Sequence, residues 1–319
     1  MPSSPCPSCK GCKRASPART PSWSSAARLL AGRCEASAVS SFDEARWAAL
    51  FSPDMPAEVR SFLRTFSAII LYLAVPGVDL QQRLTAALGI RVILWPPLPP
   101  PETRLPISLH LQGALTPLGI SLRMEWPRLA LTAEDCAFAE GYWRSHGLPA
   151  DRRQPVVAIH PGSGSAKKNW PAARYVELAN RLQREYQARI LVVAGPADEA
   201  ARRELLAHWS GEPPLVTGSL TLPQVASLLA RCRCLVGNDS GIAHLAAALG
   251  APTVAIFGPS DPLVWVPAGP VATVIAPQVS CAPCPPEQRR FCPRLACLES
   301  IGVEEVYAQA RHISISPGI

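Results

Sequence analysis

The chain has 319 residues, 48% hydrophobic and 17% charged, with a formal charge of +7. That length accommodates two domains of ordinary size, and the composition is that of a folding chain. The charge does not indicate a nucleic-acid binder: Lys10, Lys13, Arg14, Arg19, Arg28 and Arg33 stand in residues 1–33 without a single acid, so the rest is close to neutral, and a basic tail without a nucleic-acid motif is no binding groove.

No apolar run reaches the ~18–20 residues of a membrane span. The start lacks the roughly 7–15-residue apolar core of a signal peptide. A cytoplasmic protein is therefore expected. Eleven cysteines, an odd number, with no export signal argue against a disulfide framework.

In chain order, residues 1–33 are rich in Pro, Ser, Arg and Cys, show no apolar period and read as disordered or mis-framed. Residues 34–128 read as a weak, partial α/β domain. Ala68–Val75 is a predicted strand, Asp79–Leu88 a helix stopped by Gly89, and Arg91–Trp95 a second strand; Pro96–Pro106 is a loop, and Leu105–Gly119 has no clear period. A helix is predicted from Thr132 to about His146, with Thr132 and Asp135 in a capping arrangement and Gly147 as its stop. Leu148–Gln154 reads as a polar linker and a boundary.

From Pro155 the pattern is cleaner. Strands are predicted at Val156–His160, Ile190–Ala194, Leu215–Val216, Cys234–Val236, Thr253–Phe257 and Val271–Ile275. Helices are predicted at Ala172–Gln187, Asp198–Trp209, Pro223–Ala230, Ile242–Leu249 and Val303–His312. Strands alternating with helices imply a parallel, doubly wound sheet. The C-terminal domain is placed at 129–300, with a closing helix and tail at 301–319.

Three loops follow predicted strands, where ligands bind in open α/β sheets. The first is His160-Pro161-Gly162-Ser163-Gly164-Ser165-Ala166-Lys167-Lys168-Asn169-Trp170-Pro171, with glycines for close backbone approach, hydroxyls and two lysines for phosphate. It is no P-loop, because the G-x-x-x-x-G-K-[ST] spacing is absent. Alone, it is as well explained as a solvated turn. The second is Gly195-Pro196-Ala197-Asp198-Glu199, where a carboxylate can accept from ribose hydroxyls or simply favour a helix start. The third is Asn238-Asp239-Ser240-Gly241: Asp239 can accept from sugar hydroxyls, while Ser240 and the N–H groups near Gly241 can meet a phosphate. Helix capping by Asp239 or Ser240 is the plainer alternative, and His244 can equally be a packed structural histidine. The conjunction of three such loops on one sheet is what carries weight.

In order and spacing, these loops resemble the donor-binding half of glycosyltransferase family 9, the ADP-heptose:lipopolysaccharide heptosyltransferases. The specific stretch is (D/N)-(S/T)-G-x-x-H-L-A-A-A-x-G-x-P-x-x-x-(L/I)-F-G, met here from Asp239 to Gly258. The resemblance covers about residues 130–312 well and 34–125 loosely. It implies a GT-B architecture of two Rossmann-like domains with parallel sheets, the N-terminal one incomplete. It also implies transfer of a heptose or related sugar from a nucleotide-sugar donor such as ADP-heptose to a lipid-linked saccharide acceptor such as the lipopolysaccharide core. No cofactor or metal is implied. Peripheral contact with the cytoplasmic face of the inner membrane fits such an acceptor. By motif, Lys168 would bind the donor diphosphate with help from Ser163, Glu199 would hold the ribose, Asp239 the donor sugar, and Ser240 and Gly241 the phosphates, with His244 in the same site.

The family's N-terminal R-x-x-x-x-G-D-x-x-x-(T)-x-P pattern, whose aspartate is the expected base, has no counterpart here. No Gly-Asp pair occurs in residues 1–100; the first acids are Glu35, Asp43 and Glu44. No catalytic base is assigned. One hypothesis is that residues 1–25 are an out-of-frame reading. Cys9-Lys10-Gly11-Cys12-Lys13-Arg14 can be encoded so that a one-base shift yields Leu-Gln-Gly-Leu-Gln-Ala, a family-like helix. The gene's DNA decides it: no upstream open frame encoding a Gly-Asp motif would sink the idea.

The late run Cys281-x-x-Cys284-x7-Cys292-x4-Cys297 has spacing a structural zinc or iron–sulfur site can use, though packed or surface thiols in a loop are the simpler account. Two other functions remain open. One is a nucleotide-sugar-binding remnant lacking the base. The other is a dinucleotide enzyme, disfavoured because Gly162-x-Gly164 is followed by Lys167 where G-x-G-x-x-G needs glycine.

Overall fold

The computed structural model describes residues 44–74, 78–100, 102–121, 126–148 and 154–315. The basic segment 1–33, the frame hypothesis for 1–25, Glu35, Asp43 and most of the linker 148–154 lie outside the described residues. Those described form two compact units, one ending at residue 121 and the other beginning at Trp126.

The first unit is built on one strand–helix–strand crossover. Helix α1 (Ala57–Leu63) precedes strand β1 (Ala68–Tyr72), helix α2 (Val78–Leu88) and strand β2 (Arg91–Trp95). The two strands pair in parallel, Ile70 opposite Ile93. Leu84 and Leu88 of α2 pack with Val92 and with Leu50, Met55, Val59 and Leu63. Gly89, at φ +67°, ends α2 with the left-handed turn that glycine adopts without a Cβ clash. The segment without a clear period holds helix α3 (Ile107–Gln112), followed by a 3₁₀ turn over Gly113–Leu118.

The second unit opens on helix α4 (Ala133–Ser145). Its capping box is the predicted one: the Asp135 N–H donates to Thr132 Oγ1 at 3.2 Å, and the Thr132 N–H donates to Asp135 Oδ2 at 2.8 Å. The unit then alternates β3 (Val156–His160), α5 (Ala172–Tyr186), β4 (Arg189–Val192), α6 (Glu199–Ala207), β5 (Leu215–Val216), α7 (Leu222–Leu229), β6 (Cys234–Asn238), α8 (Gly241–Ala248) and β7 (Thr253–Ile256). Helix α9 (Pro262–Trp265), strand β8 (Ala272–Ile275) and helices α10 (Pro286–Phe291), α11 (Ala296–Glu299) and α12 (Val303–Ile315) complete it. Helices α9 to α11 escape sequence reading because four to six residues cannot establish a period.

The six strands are all parallel, in the order β5-β4-β3-β6-β7-β8. Counted from the unit's own first strand, this is the 3-2-1-4-5-6 order of a dinucleotide-binding sheet. Every residue of β3, β6 and β7 is buried, as in a parallel sheet covered on both faces. Alternation divides their side chains: Val157, Ile159, Val254 and Ile256 join Tyr175, Leu182 and Tyr307 on one face, and Ala158, Leu235 and Ala255, with Phe257 just past β7, join Trp143, Leu228 and Leu245 on the other. The strand order reverses between β3 and β6, so His160 and Asn238 end side by side at the point where such sheets open a ligand crevice.

Candidate functional site

Asn238, the last residue of β6, is fully buried and clamps the loop that follows β3. Its Nδ2 donates to the carbonyls of Pro161 (2.9 Å) and Gly162 (3.1 Å), and its Oδ1 accepts from the Trp170 N–H (2.9 Å) and the Tyr175 hydroxyl (3.0 Å). Both ends of the glycine-serine-lysine loop are thereby tied to the neighbouring strand. Trp170 anchors the far end, its indole N–H donating to the Ile301 carbonyl at 3.0 Å. Gly162 has a steric reason to be glycine: a Cβ there would lie 2.0 Å from Asp198 Oδ1.

Within the loop, a 3₁₀ turn over Ala166–Lys168 sends the two adjacent lysines in different directions. Lys168 Nζ donates to the backbone carbonyl of Asp239 (2.9 Å) and to its Oδ2 (3.1 Å), both side chains being largely buried. Lys167 Nζ instead donates to the Cys292 carbonyl at 2.7 Å. Ser163 braces the loop, its Oγ lying 2.6 Å from the Ser165 carbonyl and 2.7 Å from Asn169 Oδ1.

Beyond β4, the two acids of Asp198-Glu199 part. Asp198 turns inward, its Oδ2 accepting the Gly195 N–H at 2.8 Å and lying 3.4 Å from His160 Nε2. Burial alone would raise its carboxyl pKa, but the His160 ring and the Gly195 N–H outweigh it, and the group is held below the usual carboxylate range. Glu199 opens α6 with its side chain 48% exposed. It pairs with Arg202 on its own helix at 2.7 to 3.0 Å.

Helix α8 begins at Gly241, preceded by Ser240 in extended conformation. Ser240 makes no side-chain cap, so the helix start keeps its N–H groups and positive dipole end clear of that side chain. Its Oγ lies instead 3.0 Å from His160 Nδ1. His244 sits one turn into α8, half-buried. Burial, together with the nearby Lys168 ammonium, lowers its pKa against the opposing pull of Asp239 and the Trp265 backbone, favouring the neutral ring.

The structure thus brings Lys168, Asp239, Ser240, Gly241 and His244 to one place, beside the Ser163 loop. Glu199 stays apart on the α6 surface, and Asp198 occupies the inward position. Sequence reading placed His160 and Asn238 at the heads of the first and third loops but gave neither a role. The only signal for either was a polar residue closing an apolar strand.

The four late cysteines are free thiols lining one cavity of about 450 Å³ with Pro259, Phe291 and Leu295. Burial raises the Cys297 thiol's pKa. Among the described residues, no group of three or more His, Cys, Asp and Glu side chains is arranged to hold a metal ion. Nor is any described helix long and apolar enough to cross a membrane.

Known proteins resemble this chain in sequence and in structure. Residues 108–293 match the model of glycosyltransferase family 9 (heptosyltransferase). Lipopolysaccharide heptosyltransferase 2 of Escherichia coli K12 is 35% identical over 144 residues, covering 43% of this chain and 39% of that protein. Lipopolysaccharide heptosyltransferase 1 of Pseudomonas aeruginosa is 34% identical over 147 residues, covering 45% and 40%. The chain therefore spans about two fifths of the length of these relatives. Among solved structures, a family 9 glycosyl transferase from Veillonella parvula superposes with a TM-score of 0.63 at 20% identity, covering 82% of this chain and 78% of that one. The E. coli ADP-heptose LPS heptosyltransferase II gives 0.60 at 21% identity, covering 81% and 80%. These likenesses establish the α/β fold as GT-B in type. With the family model matching more than half of its residues, the chain belongs to glycosyltransferase family 9, the heptosyltransferase family.

Proposed function

We propose that the second unit binds a nucleotide-activated heptose such as ADP-heptose, and that the protein transfers the sugar to a lipid-linked saccharide of the lipopolysaccharide-core type. The observation that carries this reading is the Lys168–Asp239 pair, a cation and a carboxylate 3.1 Å apart at the strand-order reversal and beside the start of α8. A diphosphate needs the cation and the helix amides; a sugar needs acceptor oxygens such as those of Asp239. Ser163, Ser240, Gly241 and His244 complete the donor set, and Glu199, half-exposed and paired with Arg202, would hold the ribose.

In transfer, the acceptor hydroxyl oxygen bonds to the anomeric carbon as the bond from that carbon to the phosphate oxygen breaks. Negative charge grows on the departing nucleotide, where Lys168 and the α8 amides stabilise it. The acceptor's proton passes to a base that none of the described residues is assigned to be. The names of the relatives, lipopolysaccharide heptosyltransferases, support the donor and acceptor classes. A lipid-linked acceptor fits peripheral contact with the cytoplasmic face of the inner membrane.

Calorimetric titration with ADP-heptose tests the reading. Lys168→Ala removes a charged contact of about 1.5–3 kcal/mol, an affinity loss of roughly 10- to 150-fold. Unchanged affinity would overturn the site. ADP release with a lipid A–Kdo acceptor reports transfer; tight donor binding without release would favour a binding-only protein.

A further inference from the structure

His160 closes β3 at the strand-order reversal, is 2% exposed, and bridges two loops that the chain brings from far apart. Its Nδ1 faces Ser240 Oγ at 3.0 Å across a separation of 80 residues. Its Nε2 forms no aligned hydrogen bond and faces Asp198 Oδ2 at 3.4 Å. From α5, the Tyr175 hydroxyl reaches the His160 carbonyl at 3.3 Å, and burial holds that phenol's pKa well above its ordinary value, so it stays neutral. From β6, Gly237 packs against the histidine Cβ. The Lys168–Asp239 pair and His244 flank Ser240.

We propose that His160 is a positioning residue for the anionic end of the donor: it holds the Ser240 hydroxyl and lets it donate to a phosphate oxygen only when Nδ1 carries a proton, so that nucleotide-diphosphate binding takes up one proton. The inference rests on the donor reading above.

The proton inventory leads there. An ionised Asp198 can only accept, so Nε2, which faces it, carries the ring's proton in the neutral state. Nδ1 is then a bare acceptor. The single proton of the Ser240 hydroxyl turns to it, and the hydroxyl shows lone pairs to any ligand. Lone pairs suit a sugar hydroxyl and repel a phosphate oxygen. A proton taken from solvent onto Nδ1 reverses the bond. The ring N–H now donates to Ser240 Oγ, and the hydroxyl proton is free to point at the phosphate. No bond between heavy atoms changes, and the added positive charge is balanced by Asp198 on one side and the anion on the other.

The test is calorimetric titration of the wild type and His160→Asn with ADP, at about pH 7.5 to 8.5, in buffers of different ionisation enthalpy. The asparagine amide can donate to Ser240 without titrating, so subtracting its behaviour removes the nucleotide's own ionisation. The expected result is about one more proton taken up per ADP by the wild type. Its affinity should also tighten by up to tenfold more per unit fall in pH than the variant's. Equal uptake by the two proteins would overturn the proposal, whereas a purely structural histidine would change stability without changing uptake. Because the variant can fail to fold, and ADP can fail to bind, ¹⁵N NMR of the His160 ring in the unaltered protein supplies an independent decision. A neutral ring protonated at Nε2 is expected; one protonated at Nδ1 would refute the inference. Failure of ADP to bind at all would count against the donor reading, with the tautomer still deciding the role of His160.

Discussion

Asn238→Ala is the most informative single perturbation of the fold around the site. The native side chain satisfies four groups at once: the Trp170 N–H, the Tyr175 hydroxyl and the carbonyls of Pro161 and Gly162. After truncation the Tyr175 hydroxyl can turn fully to the His160 carbonyl, 3.3 Å away. The other three groups lose their Asn238 partner in a fully buried environment. At about 1–3 kcal/mol for each unsatisfied group, and allowing for partial relaxation, the cost is about 3–5 kcal/mol. That is a large fraction of the roughly 5–15 kcal/mol that holds an ordinary domain together. Thermal unfolding followed by circular dichroism should show a drop of about 10 °C for a unit of this size. Asn238→Asp keeps Oδ1 as an acceptor but sets a second acceptor oxygen against two carbonyls, so it should destabilise comparably despite its nearly identical shape. If Asn238→Ala unfolded within about 0.5 kcal/mol of wild type, the clamp would be no clamp, because that is the range of neutral surface changes.

Gly162→Ala should destabilise by about 1–3 kcal/mol through overpacking, since its new methyl would lie 2.0 Å from Asp198 Oδ1. Shortening the obstacle in Gly162→Ala/Asp198→Ala should recover part of that loss, and strictly additive denaturation energies would refute the contact. Asp198 also predicts a pH dependence. A carboxyl whose folded pKa is depressed contributes stability that is present above its unfolded value, about 4, and lost as pH falls through the folded value. Asp198→Asn should therefore flatten the acid limb of a urea-midpoint profile below about pH 4. A variant limb parallel to the wild type's would remove Asp198 from the account.

Much of the second unit was legible in the sequence because its strands are buried on both faces. Val156–His160, Cys234–Val236 and Thr253–Phe257 read as apolar runs between helices whose stripes are clear, as in α5, where Val176, Ala179 and Leu182 recur at helical spacing. The capping pair Thr132 and Asp135 was legible because its chemistry is local, three residues apart. The three loops at strand ends followed from alternation alone.

Sequence by itself determined the α/β alternation, the strand-end loops and the motif that identifies the family, since all of these are written in neighbouring residues. Only the tertiary structure decided that β3 lies beside β6, which puts His160 against Ser240 and Asn238 beneath the Pro161–Gly162 turn. It also decided that Lys168 rather than Lys167 meets Asp239, and that Asp198 rather than Glu199 turns inward. Periodicity does not separate adjacent residues of like charge, and the motif that singled out Lys168 and Glu199 carries no direction; the backbone turn that carries them and the order of strands in the sheet give each side chain its direction and its partner.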